Sequence, residues 1–206
     1  MHITVLGANG KTGTAVVDQA LAQGHQATAL VRDRSKITRT HAGLTVVEGD
    51  ARDADDLAKA LVGSDAVIST LGSMKAKDEL LTRTSAALVT AATAAGLKRV
   101  VIMSSFVAAP QLKRDLMGKL MASMMKSVVA DKSVGEAHLQ ASQLDWTIVY
   151  PTGLDKAPAG QPVRVVGADQ QVSAKNGIAR ADVATFLLDE AASNAHVRQR
   201  LVITTK

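Results

Sequence analysis

Short apolar runs and longer amphipathic stretches alternate along nearly the whole chain. The short runs are aliphatic and β-branched, as in buried strands, and the longer stretches carry apolar residues at helical spacing. In the first stretch Val16, Val17, Ala20 and Leu21 form one apolar stripe, and Gly24 follows as a helix stop. The pattern predicts strands over residues 2–6, 26–31, 44–48, 65–70, 99–103, 146–150, 163–166 and 200–204, and helices over 12–23, 54–62, 78–95 and 181–192. Residues 111–142 are at first polar and rich in methionine, and a helix is expected toward 134–144.

This alternation of strand and helix is typical of right-handed βαβ crossovers. It predicts a single-domain, Rossmann-type α/β fold: a doubly wound, mostly parallel sheet with helices on both faces. No linker or shift in composition divides the chain, so we expect one domain over residues 1–206, with a small region around 151–180 where the pattern loosens.

A glycine-rich loop joins the first strand to the first helix. Its sequence, Gly7-Ala8-Asn9-Gly10-Lys11-Thr12-Gly13, fits G-x-x-G-x-x-G. The first glycine permits the tight turn, the second lets a pyrophosphate approach the backbone, and the third lets the helix pack against the strand. The helix N-terminus offers N–H groups to the phosphates. The loop therefore predicts dinucleotide binding by residues 7, 9, 10, 11, 12 and 13, against the alternative of a purely structural turn.

The end of the second strand bears on the choice of dinucleotide. A site specific for NAD(H) usually has an acidic residue there, whereas this strand ends in Arg32-Asp33-Arg34-Ser35-Lys36. A guanidinium at Arg32 can bind a 2′-phosphate through two parallel hydrogen bonds. Asp33 is open to two interpretations, as a ligand of the ribose or as a partner that orients Arg32. We expect NADP(H) rather than NAD(H).

Polar or small residues follow several other strands, and ligands of open α/β sheets bind at that carboxyl edge. Asp50 is a candidate for contact with the adenine. The remaining candidates at these strand ends are Ala51, Leu71, Gly72, Ser104, Ser105, Tyr150, Pro151 and Thr152.

Composition narrows the function classes. Aromatic residues make up 2% of the chain, which disfavours single-stranded nucleic-acid binding, although the net charge of +5 keeps a nucleic-acid partner as a minor alternative. The absence of cysteine and the scattered histidines predict no metal centre. No signal peptide or apolar span of about 18 residues is evident, so we expect a cytoplasmic protein without a membrane partner. The short chain leads us to expect a monomer or a weak dimer.

These motifs resemble those of the atypical short-chain dehydrogenase/reductase superfamily, and within it the flavin reductase and biliverdin-IXβ reductase group. The likeness covers nearly the whole chain and rests on residues 7–13, 31–35, 65–68, 71–72, 104–106, 144–148 and 180–184. The resemblance implies that Arg32 binds the adenosine phosphate. It also implies that Leu71-Gly72, Ser105 and Tyr150-Pro151-Thr152 flank the nicotinamide.

The chain departs from the wider superfamily at its Tyr-x-x-x-Lys pair. Aligning Lys132 with the family's lysine puts Val128 where the tyrosine belongs. The proton donor of carbonyl reduction is therefore missing, and Lys132 is left as a surface or ribose-contacting residue.

A planar conjugated acceptor, such as a flavin, bilin or quinone, suits this departure because its proton can come from solvent. We therefore expect hydride transfer from NADPH to such an acceptor. Ser105 and Tyr150 are the catalytic candidates, and either Tyr150 or Met74 is expected to border the acceptor. The small region around 151–180 is expected on the acceptor side. The alternatives are an epimerase, dehydratase or quinone reductase, and a non-catalytic NADP(H) sensor. Met117, Met121, Met124 and Met125 fit a core or partner-facing helix, or a lid.

Overall fold

A computed structural model describes residues 1–72, 79–110, 113–114, 116–155, 157–167, 171–172 and 177–205. The helices are α1 (Lys11–Ala22), α2 (Ala54–Leu61), α3 (Leu80–Ala94), α4 (Leu116–Met124), α5 (Lys126–Ala141) and α6 (Arg180–Ser193). The strands are β1 (His2–Leu6), β2 (Gln26–Val31), β3 (Leu44–Glu48), β4 (Ala66–Ser69), β5 (Arg99–Met103), β6 (Lys113–Arg114), β7 (Asp145–Pro151), β8 (Gly153–Leu154), β9 (Arg164–Val166), β10 (Gln171–Val172), β11 (Gly177–Ile178) and β12 (Gln199–Thr204).

Eight of these strands form one sheet in the order β3-β2-β1-β4-β5-β7-β12-β9. Every neighbouring pair is parallel except β12 and β9 at the edge, which are antiparallel. The order reverses between β1 and β4, as in a doubly wound nucleotide-binding sheet. The predicted fold class is confirmed.

Each face of the sheet is covered by its own helices. Side chains alternate along a strand, so in β1 Val5 points to one face and Leu6 to the other. The Leu6 face packs against α2, α3 and α5, and the Val5 face packs against α1 and α6. Both cores are mainly aliphatic, as the scarcity of aromatic residues requires.

The helix expected toward residue 144 was placed too far along the chain. α5 runs from Lys126 to Ala141 and ends because Ser142 turns to an extended conformation, with its hydroxyl donating to the Leu139 carbonyl at 2.7 Å. Two further ladders, β6 with β10 and β8 with β11, were not predicted because each strand is only two residues long.

The methionines divide between core and surface. Met121 and Met125 pack against the core on the Leu6 face, whereas the Met124 side chain is 80% exposed. The Met117 side chain lies outside the described residues. In the described parts of the chain, no helix is long and apolar enough to cross a membrane.

A buried ion pair holds the amino-terminal edge of the sheet. Arg99 of β5 donates to the Glu190 carboxylate of α6 at 2.8 Å. The same carboxylate contacts the Thr147 hydroxyl of β7 at 3.3 Å and the His196 ring at 2.8 Å. Trp146, the one tryptophan of the chain, is buried beside Thr147 on β7. This arrangement ties β5, β7 and α6 together.

Candidate functional site

A cleft of about 450 Å³ opens at the carboxyl edge of the sheet, where the strand order reverses. The ends of β1, β2, β3 and β4 and the start of α3 form its walls. Its lining residues are Gly7, Asn9, Gly10, Leu30, Val31, Arg32, Asp33, Lys36, Gly49, Asp50, Ala51, Thr70, Leu71, Gly72 and Leu80. The cleft thus brings together most of the predicted candidates from the first four strand ends, whereas Lys11, Thr12 and Gly13 do not line it.

The glycine loop leaves no space for side chains at two positions. Gly7 has a φ of +82°, which disfavours any other residue. A Cβ on Gly13 would lie 2.1 Å from the Gly7 carbonyl oxygen, so the loop and the first turn of α1 are in direct backbone contact. This contact fixes the N-terminus of α1 against the end of β1.

α1 begins directly after Gly10, which lines the cleft. Gly10 is the N-cap residue and provides no side-chain cap. The N–H groups of Lys11, Thr12 and Gly13 have no partner within the helix, as in the first turn of any α-helix. Together with the helix dipole they suit a pyrophosphate.

The two arginines after β2 differ in what they bind. The guanidinium of Arg34 donates to the Val46 carbonyl of β3 at 2.9 Å, so it is turned away to the edge of the sheet. Arg32 is exposed and lines the cleft, as does Lys36. Arg32 and Lys36 are therefore the cations that a phosphate in this part of the cleft would meet.

Asp33 lines the same cleft but is occupied by its own turn. Its carboxylate accepts hydrogen bonds from the Ser35 amide at 3.0 Å and the Ser35 hydroxyl at 2.6 Å. These bonds lower the pKa of Asp33. Asp33 thus caps the short 3₁₀ helix Arg34–Lys36, a role that neither of the sequence interpretations included.

Asp50 is held by a neighbouring arginine. The Arg52 guanidinium donates to both carboxylate oxygens, and these hydrogen bonds, together with the more weakly acting charge of Arg32, lower the pKa of Asp50. The carboxylate remains on the cleft wall. An adenine contact there would involve the Asp50–Arg52 pair rather than a solitary acid.

The ends of β5 and β7 lie beside β4 at the same carboxyl edge of the sheet, but their residues do not line this cleft. Ser104, Pro151 and Thr152 are buried, and the Thr152 hydroxyl pairs with that of Thr204 at 3.2 Å. None of these three residues lines the cleft. The structure does not bring these side chains to the cleft. Ser105 is half-buried and directly follows Ser104.

Tyr150 is also turned inward, contrary to the prediction that it borders the acceptor. Its side chain has no exposed area, and its hydroxyl donates to Glu136 of α5 at 2.5 Å. Burial and the negative charge of Glu136 raise the pKa of Tyr150 well above its usual value. The one tyrosine of the chain is therefore a poor proton donor and lacks access to a ligand.

Lys132 differs from its expected position as well. The side chain is 7% exposed, and burial lowers its pKa, against the charges of Glu136 and Asp131. The surface alternative was wrong, because α5 turns this residue toward β5 and α3, and the ribose-contacting alternative stays a prediction. Val128, at the place of the family tyrosine, is buried on the same helix.

Two relevant residues were missed by sequence reasoning. Leu80, the first residue of α3, lines the cleft, and Glu136 binds both Ser104 and Tyr150. Glu136 had a detectable signal: with Lys132 it interrupts the buried face of α5 at helical spacing. Met74, the other candidate at the acceptor, falls outside the described residues. Among those described, no three His, Asp or Glu side chains are grouped to hold a metal ion.

The family of this chain follows from comparison with known protein families. A family model described as NAD(P)H-binding matches residues 7–194, from the glycine loop to the end of α6. The chain belongs to this NAD(P)H-binding family. The family and the Rossmann-type fold agree with the resemblance stated from the sequence.

Individual relatives differ in what their names state. Over 167 residues the chain is 31% identical to the photosystem II assembly factor Ycf39 of Synechocystis, covering 78% of this chain but 47% of Ycf39. The chain therefore spans about half the length of that relative. The anaerobilin reductase ChuY of Escherichia coli O157:H7 superposes with a TM-score of 0.82 at 25% identity, covering 100% of this chain and 97% of ChuY.

A short-chain dehydrogenase/reductase of Veillonella parvula, solved in complex with NADP, has the same fold. It superposes with a TM-score of 0.79 at 20% identity, covering 98% of this chain and 94% of the other. This likeness shows that the two chains share the Rossmann fold.

Proposed function

We propose that this protein is an NADPH-dependent reductase that delivers hydride to a planar, conjugated acceptor such as a bilin or flavin. Two features together carry the proposal. The cleft is lined by cations that suit a phosphate, and the one tyrosine of the chain is buried. The first feature supports NADPH as the donor. The second disfavours ordinary carbonyl reduction.

The preference for NADPH is supported by charge at the end of β2. Arg32 and Lys36 both line the cleft there, and Asp33 is engaged with Ser35. A 2′-phosphate would gain two cations, while the ribose hydroxyls of NADH would find a carboxylate that already accepts two hydrogen bonds. Both effects favour the phosphorylated cofactor.

The choice of a planar, conjugated acceptor is supported by the lack of an accessible tyrosine as proton donor. When bound, NADPH supplies a hydride, and a carbonyl substrate would then need a proton on its oxygen in the same step. Tyr150 cannot give one, because it is buried and hydrogen-bonded to Glu136. An acceptor that spreads the added charge over a conjugated system tolerates a later proton from water.

Ser105 is the residue we assign to the acceptor end. It is the accessible member of the β5 end, and its backbone is fixed because its carbonyl accepts from Ala108 at 2.8 Å. Its hydroxyl is suited to hydrogen-bond the carboxamide or to order a water molecule. The name of ChuY, an anaerobilin reductase with a similar fold, favours a bilin among the planar acceptors.

A non-catalytic NADP(H) sensor is the second candidate. It is favoured by the same lack of a proton donor and by the likeness to Ycf39, which is named as an assembly factor. The two functions differ in turnover, since a sensor binds NADPH without oxidising it.

The test is a titration with NADPH and NADH, followed by addition of biliverdin, FMN or a quinone under anaerobic conditions. We expect NADPH to bind at least about tenfold more tightly than NADH and to be oxidised when an acceptor is present. Tight binding without oxidation by any acceptor would replace the reductase with the sensor. Equal affinity for the two nucleotides would contradict the role of Arg32.

Two arginine variants make the cofactor test specific. Arg32→Ala should weaken NADPH binding by roughly 10- to 100-fold and leave NADH binding unchanged. Arg34→Ala removes the same group two residues away, where it binds Val46 outside the cleft, so it serves as the matched control. An equal loss in both variants would indicate general electrostatic attraction rather than a phosphate site.

A further inference from the structure

The carboxylate of Glu136 joins the ends of two neighbouring strands. One oxygen accepts from the Ser104 hydroxyl, which follows β5, at 2.7 Å, and the other accepts from the Tyr150 hydroxyl of β7 at 2.5 Å. All three side chains are buried. The strands are also paired by their backbones at this point, because the Ser104 amide donates to the Val149 carbonyl at 2.7 Å.

This carboxylate is linked to the cleft through the start of α3. A cavity of about 10 Å³ is lined by Leu81, Ser104 and Glu136, whereas the preceding residue of α3, Leu80, lines the cleft itself. α5 and α3 are in contact here, since a Cβ on Gly135 would lie 2.6 Å from the Leu81 carbonyl oxygen. A shift of Glu136 would therefore be transmitted to the start of α3, whose first residue, Leu80, lines the cleft.

We propose that Glu136 is a positioning residue for the reduction: it clamps the ends of β5 and β7 and so fixes Ser105 beside the nicotinamide. The inference rests on the proposed reductase function and adds a residue to it. Glu136 touches neither cofactor nor acceptor; it acts through Ser104, whose next residue is Ser105. Tyr150 holds the same carboxylate from the side of β7.

The clamp requires an ionised carboxylate, since only then does each oxygen accept freely from a hydroxyl. Burial raises the pKa of Glu136, against the two hydroxyl bonds and the charges of Lys132 on α5 and Arg200 on β12. Asp131 of α5 adds a nearby negative charge, but it is engaged by the Leu81 and Thr82 amides at the start of α3. Lowering the pH should therefore protonate Glu136 above the usual range of a glutamate and release one hydroxyl.

Three variants test the clamp from its three members. Ser104→Ala and Tyr150→Phe each delete one hydroxyl, and Glu136→Gln imitates the protonated acid. We expect kcat to fall by roughly tenfold in Ser104→Ala and Glu136→Gln, with NADPH affinity within about twofold of the wild type. The kcat of the wild type should fall as the pH is lowered, and the kcat of Glu136→Gln should not show this fall, which we call the acid limb of the pH profile. Tyr150→Phe should show a smaller fall in kcat, because β7 is one strand further from Ser105.

Thr147→Val is the matched control. It deletes another buried hydroxyl of β7 that binds a glutamate, but at the amino edge of the sheet. It should lower stability and leave the pH profile unchanged. If Ser104→Ala and Glu136→Gln behave like this control, with kcat and the acid limb of the wild type, the positioning role is wrong.

Hydrogen exchange separates this inference from the proposed function. The amides of residues 104–106 should exchange faster in Ser104→Ala and Glu136→Gln than in the wild type, whether or not an acceptor is known. If no acceptor oxidises NADPH but these amides are deprotected, the reductase proposal fails and the clamp stands as a structural device only. Unchanged exchange in both variants overturns the clamp itself.

Discussion

Two buried glutamates hold the same two strands, β5 and β7, at opposite edges of the sheet. At the amino edge Glu190 meets a full positive charge on Arg99 and is supported by His196. At the carboxyl edge Glu136 meets two neutral hydroxyls at hydrogen-bonding distance. The ion pair at the amino edge therefore serves stability. At the carboxyl edge, Glu136 is a titratable group without an ion-pair partner among these contacts.

The largest expected effect comes from breaking the amino edge. Glu190→Ala should destabilise the protein by about 3–5 kcal/mol, because Arg99 is left as a buried charge without its carboxylate. The free energy of unfolding from urea denaturation measures this loss. NADPH affinity of the remaining folded protein should be unchanged. A parallel loss of cofactor affinity would show that the two edges are not independent.

The two edges also differ in how far sequence predicts them. The glycine loop, Arg32 and the strand ends were predictable, because a parallel sheet places all its carboxyl ends at one edge. The inward turn of Ser104, Tyr150 and Thr152 was not, since the direction of a side chain at the last residue of a strand depends on the exact register.

Partners from distant parts of the chain were equally hidden from sequence reasoning. Glu136 meets Ser104 across 32 positions, and Glu190 meets Arg99 across 91. Local patterns of hydrophobicity carry no information on such pairs. The only trace was the interruption of the buried face of α5 by Lys132 and Glu136.

An intermediate loss of stability is expected from adding a side chain where Gly13 contacts the Gly7 backbone at the carboxyl edge. Gly13→Ala places a methyl group against the Gly7 carbonyl and should cost about 1–3 kcal/mol of stability through overpacking. Because the loop must shift, NADPH binding should weaken by at least about tenfold. Thermal denaturation and a fluorescence titration measure the two effects.

Gly167→Ala is the control for this substitution. A Cβ there meets no atom within 4 Å, so neither stability nor binding should change. If Gly13→Ala lowers stability but binds NADPH normally, the loop contact is structural and does not shape the phosphate site.

The smallest effect concerns the pH dependence of stability at the carboxyl edge. Hydrogen bonds from Arg52 lower the pKa of Asp50 in the folded state. The folded state therefore binds this proton less readily than the unfolded state, and the resulting stabilisation is present above the unfolded pKa of about 3.9 and lost as the pH falls through the folded value. Because the Asp50–Arg52 pair is partly exposed, its contribution to stability should stay below about 1 kcal/mol.

Urea denaturation at about pH 7 and pH 3 checks this contribution. Asp50→Asn should lose less stability on acidification than the wild type does. An acid sensitivity equal to that of the wild type would show that Arg52 binds Asp50 without net benefit.

The position of Trp146 has an optical consequence. As the one tryptophan of the chain, buried on β7 beside Thr147, it gives an emission signal that originates at the edge away from the cofactor. Its side chain lies on the Leu6 face of the sheet, opposite Glu190, so its intrinsic fluorescence should report loosening of the core on that face near the amino edge while remaining almost blind to local changes at the glycine loop. Bound NADPH absorbs in the range where tryptophan emits, so energy transfer between the two provides a built-in ruler across the sheet.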